Sequence, residues 1–345
     1  MKGQVSKERV GVFLFSLAIV DCAITVTRRI AVGVLRVPFH KSNVLLVSEV
    51  LKLFFSTFQV LSSGRLAHSE SSTHLTRVVL SSVLLMPICI LYLTANLISY
   101  VSLSKIPANV FAAVSQLKVL TTAFFTVVLL KERVSKRRWR TLFMMTLAVM
   151  IVTLSSGPMV NGDSERARLN DIVNDYSVSN TQYIIGAGLC VFQTVLTGLA
   201  GVVLEFVLKR SAVDKKTVNP VSKWNFDQFD IWDRNIQLAL CSIVIYFPLA
   251  LRESGTNFVL GWSFIVWCTC ILHALGGILV ALSILHASNV AKTIAVCAGL
   301  VLTSFLGYLF DDDSAPSSVG YISGVLVATT IFTYQDDVLL DTRNV

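Results

Sequence analysis

Six ionisable side chains stand inside long apolar stretches of this 345-residue chain: Asp21, Glu49, Lys52, Lys118, Glu205 and Lys292. A charge at the centre of a bilayer costs roughly 2.5–3.5 kcal/mol on insertion scales, so each wants a partner or a watery cavity. Glu49 and Lys52 are three residues apart and share a helix face, the spacing of a structural or gating ion pair. Glu205 precedes Lys209 by four residues and takes the same reading, with an interior partnership to Lys292 or Lys118 as the alternative. Lys118 and Lys292 are different, because neither has an acid at helical spacing on its own helix. Lysine is a compact point charge suited to phosphate, and it grips less firmly than the bidentate fork of arginine. The two read as ligands of a phosphate-bearing molecule, against the alternative of structural glue.

Those residues need membrane helices to carry them. Apolar residues make up 54% of the chain and charged residues 14%, well below the roughly 25% charged of a soluble domain. Stretches 78–104, 141–162, 176–204, 254–291 and 314–335 contain no Asp, Glu, Lys or Arg, and about 18 such residues suffice to span a bilayer. The expected fold is an all-α polytopic membrane protein with ten transmembrane helices, near 10–27, 43–63, 79–102, 108–130, 139–157, 182–207, 235–251, 261–285, 289–310 and 318–335. With the amino terminus in the cytosol, 17 of the 29 Lys and Arg fall in cytosolic connections and 8 in the others. That bias places both termini in the cytosol. The basic run from Lys131 to Arg140 is a juxtamembrane anchor with Trp139 at the interface, not a nucleic-acid patch. The first apolar segment has no clear small-residue cleavage site and reads as a retained helix.

The polar connection 158–181 divides the chain into a first half, 1–157, and a second, 182–345, with five spans each. An odd number of spans per half requires opposite orientations in the membrane, which is the arithmetic of an inverted repeat. A second long connection, about 209–234, reads as a cytosolic insertion. Enzyme chemistry finds no support. There is no Gly-x-Ser-x-Gly elbow, P-loop or His-Glu-x-x-His. Cys268 and Cys270 point to different faces of a helix, and His273 and His286 read as packed histidines, so neither a metal nor another cofactor is expected. Asp311-Asp312-Asp313 reads as a solvated loop.

Gln116-Leu117-Lys118 followed by Thr121-Thr122-Ala123, then the basic loop ending at Trp139, resembles the nucleotide-sugar transporter family. The likeness is to its CMP-sialic acid, UDP-galactose and UDP-N-acetylglucosamine branch, within the drug/metabolite transporters. Matching segments run along most of the chain: Ser48-Glu49-Val50-Leu51-Lys52-Leu53, Gly198-Leu199-Ala200-Gly201-Val202 with Glu205, Arg234-Asn235-Ile236-Gln237, Gly276-Gly277, and Asn289 with Lys292. The resemblance implies ten helices in inverted five-helix halves and a Golgi membrane location, with endoplasmic reticulum as the alternative. It also implies exchange of a cytosolic nucleotide sugar for a lumenal nucleoside monophosphate, without a cofactor.

Lys118 and Lys292 carry over as phosphate-binding lysines, while Asn96, Asn235 and Gln237 carry over as polar positions for base or ribose. The family's two tyrosines of span four are Phe111 and Ser115 here, and its Asn-Asn pair of span three is Asn96-Leu97, so recognition of base and sugar differs in detail. UDP-galactose is the expected cargo, with other UDP-sugars and CMP-sialic acid as alternatives. Glycosyltransferases or a second copy of the chain are the conceivable protein partners, and a non-transporting scaffold for glycosyltransferases is the rival role.

Overall fold

The computed structural model describes residues 2–31, 40–62, 71–106, 108–132, 134–155, 180–213, 229–255, 259, 261–310 and 318–343. Among them the secondary structure is helical throughout. The helices are α1 (Lys2–Arg29), α2 (Lys41–Ser62), α3 (Ser71–Ser81), α4 (Met86–Leu103), α5 (Ala108–Val114), α6 (Lys118–Leu129), α7 (Lys136–Ser155), α8 (Asn180–Val213), α9 (Ile231–Ser254), α10 (Phe264–His286), α11 (Asn289–Phe310) and α12 (Ser318–Arg343). Two 3-10 turns, Ser82–Leu85 and Ser115–Leu117, join α3 to α4 and α5 to α6. The 158–181 connection up to residue 179, residues 214–228 of the expected insertion, and Asp311-Asp312-Asp313 lie outside the described residues.

Among the described residues, eight stretches are long and apolar enough to cross a membrane: Val10–Arg28, Ser42–Ser62, Met86–Leu103, Val110–Leu129, Gln182–Lys209, Ile231–Ser254, Phe264–His286 and Asn289–Leu306. The protein is a polytopic membrane protein. In hydrocarbon every backbone group must be satisfied within the protein, which a helix achieves alone. Hydroxyls along the chain return to carbonyls one turn back, as Thr126 does to Thr122, Thr146 to Leu142 and Ser82 to Val78. α7 falls outside the eight because Lys136, Arg137, Arg138 and Arg140 crowd its first turns. Of the remaining helices, α3 is 11 residues long and α12 is 26.

Helix ends follow their local chemistry. Asp233 Oδ2 accepts the backbone N–H of Asp230 at 2.9 Å, fixing the start of α9. That helix ends at Gly255, whose φ of +61° only glycine adopts without strain. Ser288 Oγ accepts the Ala291 N–H at 3.1 Å and caps α11.

The chain folds into two compact units, each drawing on both sides of the 158–181 connection. The first comprises Met1–Leu91 and Ala200–Gly299, the second Tyr92–Leu199 and Leu300–Val345. In the first unit α2 packs on α9 and α10, α1 on α10, and α3 with its 3-10 turn on α9. Two apolar clusters cover the two ends of α2. Val44 packs with Ala31, Val266 and Cys270 at one end, and Val60 with Val78, Phe229 and Ile236 at the other. Val60 comes sixteen residues after Val44, about 24 Å along the helix, leaving a middle layer that carries Glu49 and Lys52. In the second unit α7 packs against α5, α6 and α12. The first part of α8 lies on α6, where Thr121 Oγ1 donates to the Thr194 carbonyl at 3.2 Å.

Candidate functional site

The first unit holds the Lys292 locus. Lys292 stands on the first turn of α11, and its Nζ donates to Asn289 Oδ1, three residues earlier, at 3.4 Å. Asn289 is 1% exposed, and its backbone N–H donates to Glu205 Oε2 at 3.0 Å. Glu205, wholly buried on α8, also meets Lys209 Nζ through Oε1 at 2.6 Å. A carboxylate at a helix start favours the unsatisfied N–H groups there. Gly201, one turn before Glu205, lies directly against the Asn289 amide: a Cβ there would fall 2.4 Å from Nδ2.

Glu49 and Lys52 form the middle layer of this unit at 2.5 Å. The stem of Lys52 lies over Gly277 of α10, where a Cβ would come within 3.1 Å of Lys52 Cδ. Both partners are largely withdrawn from solvent, so removing one strands the other. Lys52→Met is therefore expected to destabilise the fold by about 3 kcal/mol. The double variant E49Q/K52M restores most of the loss, and thermal unfolding in detergent of the single and double variants checks this.

Asn235 and Gln237 lie together at the start of α9, both buried. Gln237 Nε2 donates to the Val78 carbonyl at 3.2 Å and to Ser81 Oγ at 2.7 Å, while its Oε1 accepts from Arg234 at 2.8 Å. These bonds tie α9 to α3. Asn235 Nδ2 donates to the Ile231 carbonyl of its own helix at 3.1 Å. Beside them Arg234, 1% exposed, lies over the Phe229 ring at 5.2 Å, and His74 Nε2 meets Asp233 Oδ1 at 3.0 Å. Arg28 donates to His273 Nε2 at 3.0 Å, joining α1 to α10; because a guanidinium only donates, that nitrogen is the acceptor.

The second unit holds Lys118, Ser115 and Asn96. Lys118 is half-buried where the 3-10 turn Ser115–Leu117 gives way to α6. A 3-10 stretch inside a helical rod often marks a hinge. Ser115 Oγ donates to the Phe111 carbonyl at 2.7 Å and lies 3.7 Å from Cys190 Sγ of α8. Gln116 is buried and donates to the Ala112 carbonyl at 3.0 Å. Asn96 is exposed on α4, its carbonyl accepting from Ser99 Oγ at 2.6 Å. Lys118 and Lys292 thus belong to different units, each with its own surroundings.

In the sequence Asn289 stands beside Lys292 in one motif. Its spacing to Lys292 was a usable signal, since residues i and i+3 meet on a helix. Arg234 and Asp233 gave the weaker signal of charges opening an apolar helix.

The nucleotide-sugar transporter family model matches residues 9–335. The UDP-N-acetylglucosamine/UDP-N-acetylgalactosamine transporter of Caenorhabditis elegans is 26% identical over 311 residues, covering 86% of this chain and 84% of that protein. The UDP-galactose/UDP-N-acetylglucosamine transporter of the same organism is 28% identical over 301 residues, covering 84% and 72%. The UDP-N-acetylglucosamine transporter of Rattus norvegicus is 26% identical over 314 residues, covering 87% and 86%. A protein of known crystal structure shares the fold with a TM-score of 0.59 at 11% identity, over 95% of this chain and 97% of its own.

Proposed function

The chain belongs to the nucleotide-sugar transporter family, and on that premise we propose that it is an antiporter exchanging a cytosolic UDP-sugar for lumenal UMP across the Golgi membrane. UDP-N-acetylglucosamine leads as cargo because the names of all three relatives above include it; UDP-galactose, in the name of one, stands next. The observation that carries the reading is the pair of half-buried lysines on membrane helices, Lys118 and Lys292, neither with an acid at helical spacing. Both cargoes bring phosphate to these ammonium groups. An empty carrier would have to cycle with two cations in a low-dielectric interior, which is costly, so either cargo lowers the barrier and exchange is favoured over uniport.

The proposed architecture is ten spans in two inverted halves, 1–157 and 182–345, with both termini cytosolic. Packing within each unit supports it. If each span corresponds to the one five later, α2 on α9 and α7 on α12 are helices packed against their own counterparts. The pairing of α2 with α10 then corresponds to that of α9 with α3 and its 3-10 turn. The pairing of α1 with α10 corresponds to that of α8 with α4, where Ser102 Oγ donates to the Gly186 carbonyl at 2.7 Å. The close approach of Gly299 to Ala18, α11 on α1, corresponds to that of Gly198 to Thr121, α8 on α6.

The test is uptake into proteoliposomes preloaded with UMP or left empty, with labelled UDP-N-acetylglucosamine, UDP-galactose or CMP-sialic acid outside. UMP-dependent uptake of a UDP-sugar, and little of CMP-sialic acid, is the expected result. Equal uptake into empty vesicles would remove exchange from the reading. No uptake of any of the three by folded protein would leave the scaffold role in its place.

A further inference from the structure

We propose that the exposed face of α7 binds an anionic phospholipid whose headgroup carries a phosphate monoester, with Lys136, Arg137 and Arg140 on the phosphates and the apolar residues below them along the acyl chains. The inference rests on α7 being one of the ten proposed spans, and not on the exchange reading. Its basis is the way one face of this helix divides along its length. Successive helical residues turn by about 100°, so Lys136, Arg137, Phe143, Leu147 and Ile151 all fall within about 60° of Arg140 around the axis. All six are exposed. On the opposite side Met145 and Val149 are wholly buried, where α7 packs against α5, α6 and α12.

The division has the profile of a lipid molecule. Phe143, Leu147 and Ile151 lie about 5, 11 and 17 Å from Arg140 along the axis, and one leaflet supplies about 15 Å of hydrocarbon. Lys136 lies about 6 Å from Arg140 in the other direction, toward the headgroups and water. Trp139, half-buried beside Arg140, is the aromatic that marks this boundary. In the proposed topology the leaflet is the cytosolic one.

Charge selects the headgroup. Residues 131–140 carry six Lys or Arg and one acid, and α7 itself contains no acid at all. Helix starts favour acids, because the N–H groups of the first turn carry a partial positive charge. Here cations add to that charge, and an anion beside them relieves the repulsion. Phosphatidylserine brings only one net negative charge. A phosphate monoester brings about −1.5 to −2 more, with three strong acceptor oxygens. Arg137 and Arg140 are three residues apart and so neighbours on the helix surface, and their planar forks match phosphate oxygens in pairs.

The experiment adds phosphatidylinositol phosphate, phosphatidylserine or phosphatidylcholine to the full-length protein in detergent. Retained lipid is read by native mass spectrometry, and Kd from the lipid-induced rise in unfolding temperature. Phosphatidylinositol phosphate is expected to bind at least about tenfold more tightly than phosphatidylserine, because charge-assisted bonds to the monoester are added. K136Q/R137Q/R140Q is expected to weaken its binding about a hundredfold and R140Q alone about fivefold, since each cation near an anionic headgroup contributes a factor of about five. R77Q, which removes an exposed cation from α3, leaves binding unchanged. Water-soluble inositol phosphate binds far more weakly than the lipid, because it makes no use of Phe143, Leu147 and Ile151. Unchanged binding in the triple variant overturns the site, and if that variant does not fold, unchanged binding in R140Q does so by itself. A loss in R77Q equal to that in R140Q overturns it as well, since the effect would then belong to overall charge. Equal retention of phosphatidylserine overturns the choice of headgroup, and equal affinity for soluble inositol phosphate overturns the lipid as ligand.

Discussion

Alanine at Lys118 or at Lys292 is expected to cut UMP-dependent uptake of UDP-sugar at least about a hundredfold, while the protein remains folded. Hydrogen bonds to charged groups contribute about 1.5–3 kcal/mol each, and a phosphate satisfied by one ammonium can lose more than one of them. Each 1.4 kcal/mol is tenfold, so about two orders of magnitude follow from one lysine. Stability should move the other way or not at all. Removing a charge from a membrane helix relieves an insertion cost of roughly 2.5–3.5 kcal/mol, and neither lysine is held by a carboxylate at helical spacing. The unfolding temperature of the ligand-free variants should therefore equal or exceed the parent's, and the UMP-induced shift should vanish. Arginine at either position keeps the charge but imposes a planar fork, so partial activity with tighter UMP retention is expected. An alanine variant that lost stability in step with activity would assign that lysine to structure rather than to the ligand.

What could be read from the sequence is what depends on neighbours along one helix. Glu49 with Lys52 and Glu205 with Lys209 are contacts at helical spacing, and 3.6-residue geometry alone brings such side chains together. The long charge-free stretches likewise announce membrane helices before any tertiary contact is known. What could not be read depends on which helix faces meet. The N–H of Asn289 meets Glu205 from 84 residues away, and no local pattern records that distance. Gln237 carries over as a polar position for base or ribose, and its amide ties α9 to Val78 and Ser81 of α3. A polar side chain in an apolar helix must bond to something, and sequence cannot say whether that is a ligand or a neighbouring backbone. The 3-10 turn before Lys118 was equally hidden, because Ser115-Gln116-Leu117 carries no glycine or proline to announce a break.

Glycine substitutions separate the contacts on which this packing depends from those on which it does not. Gly299→Ala is expected to have the largest effect. Its Cβ would lie 2.7 Å from the carbonyl oxygen of Ala18 and 3.2 Å from Asp21 Cβ and Oδ2. The first of these is backbone and cannot rotate aside, so α1 and α11 must separate along their length. Helices in a membrane associate through close van der Waals contact rather than hydrophobic expulsion, and small residues make that contact possible. Overpacking of this kind costs about 1–3 kcal/mol and occasionally more. α11 also carries Lys292, seven residues before Gly299 and so about two turns away, and a displaced helix misplaces its ammonium. Lower unfolding temperature and strongly reduced exchange are expected together. Gly277→Ala should be milder, since its Cβ meets the flexible stem of Lys52 at 3.1 Å, which can give way. Gly188→Ala is the control: nothing lies within 4 Å of its Cβ, and replacing a helical glycine by alanine gains about 0.5–1 kcal/mol. Thermal unfolding and exchange of the three variants should rank Gly299→Ala below Gly277→Ala, and Gly277→Ala below Gly188→Ala. An unimpaired Gly299→Ala would mean that α1 and α11 do not meet this closely in the membrane.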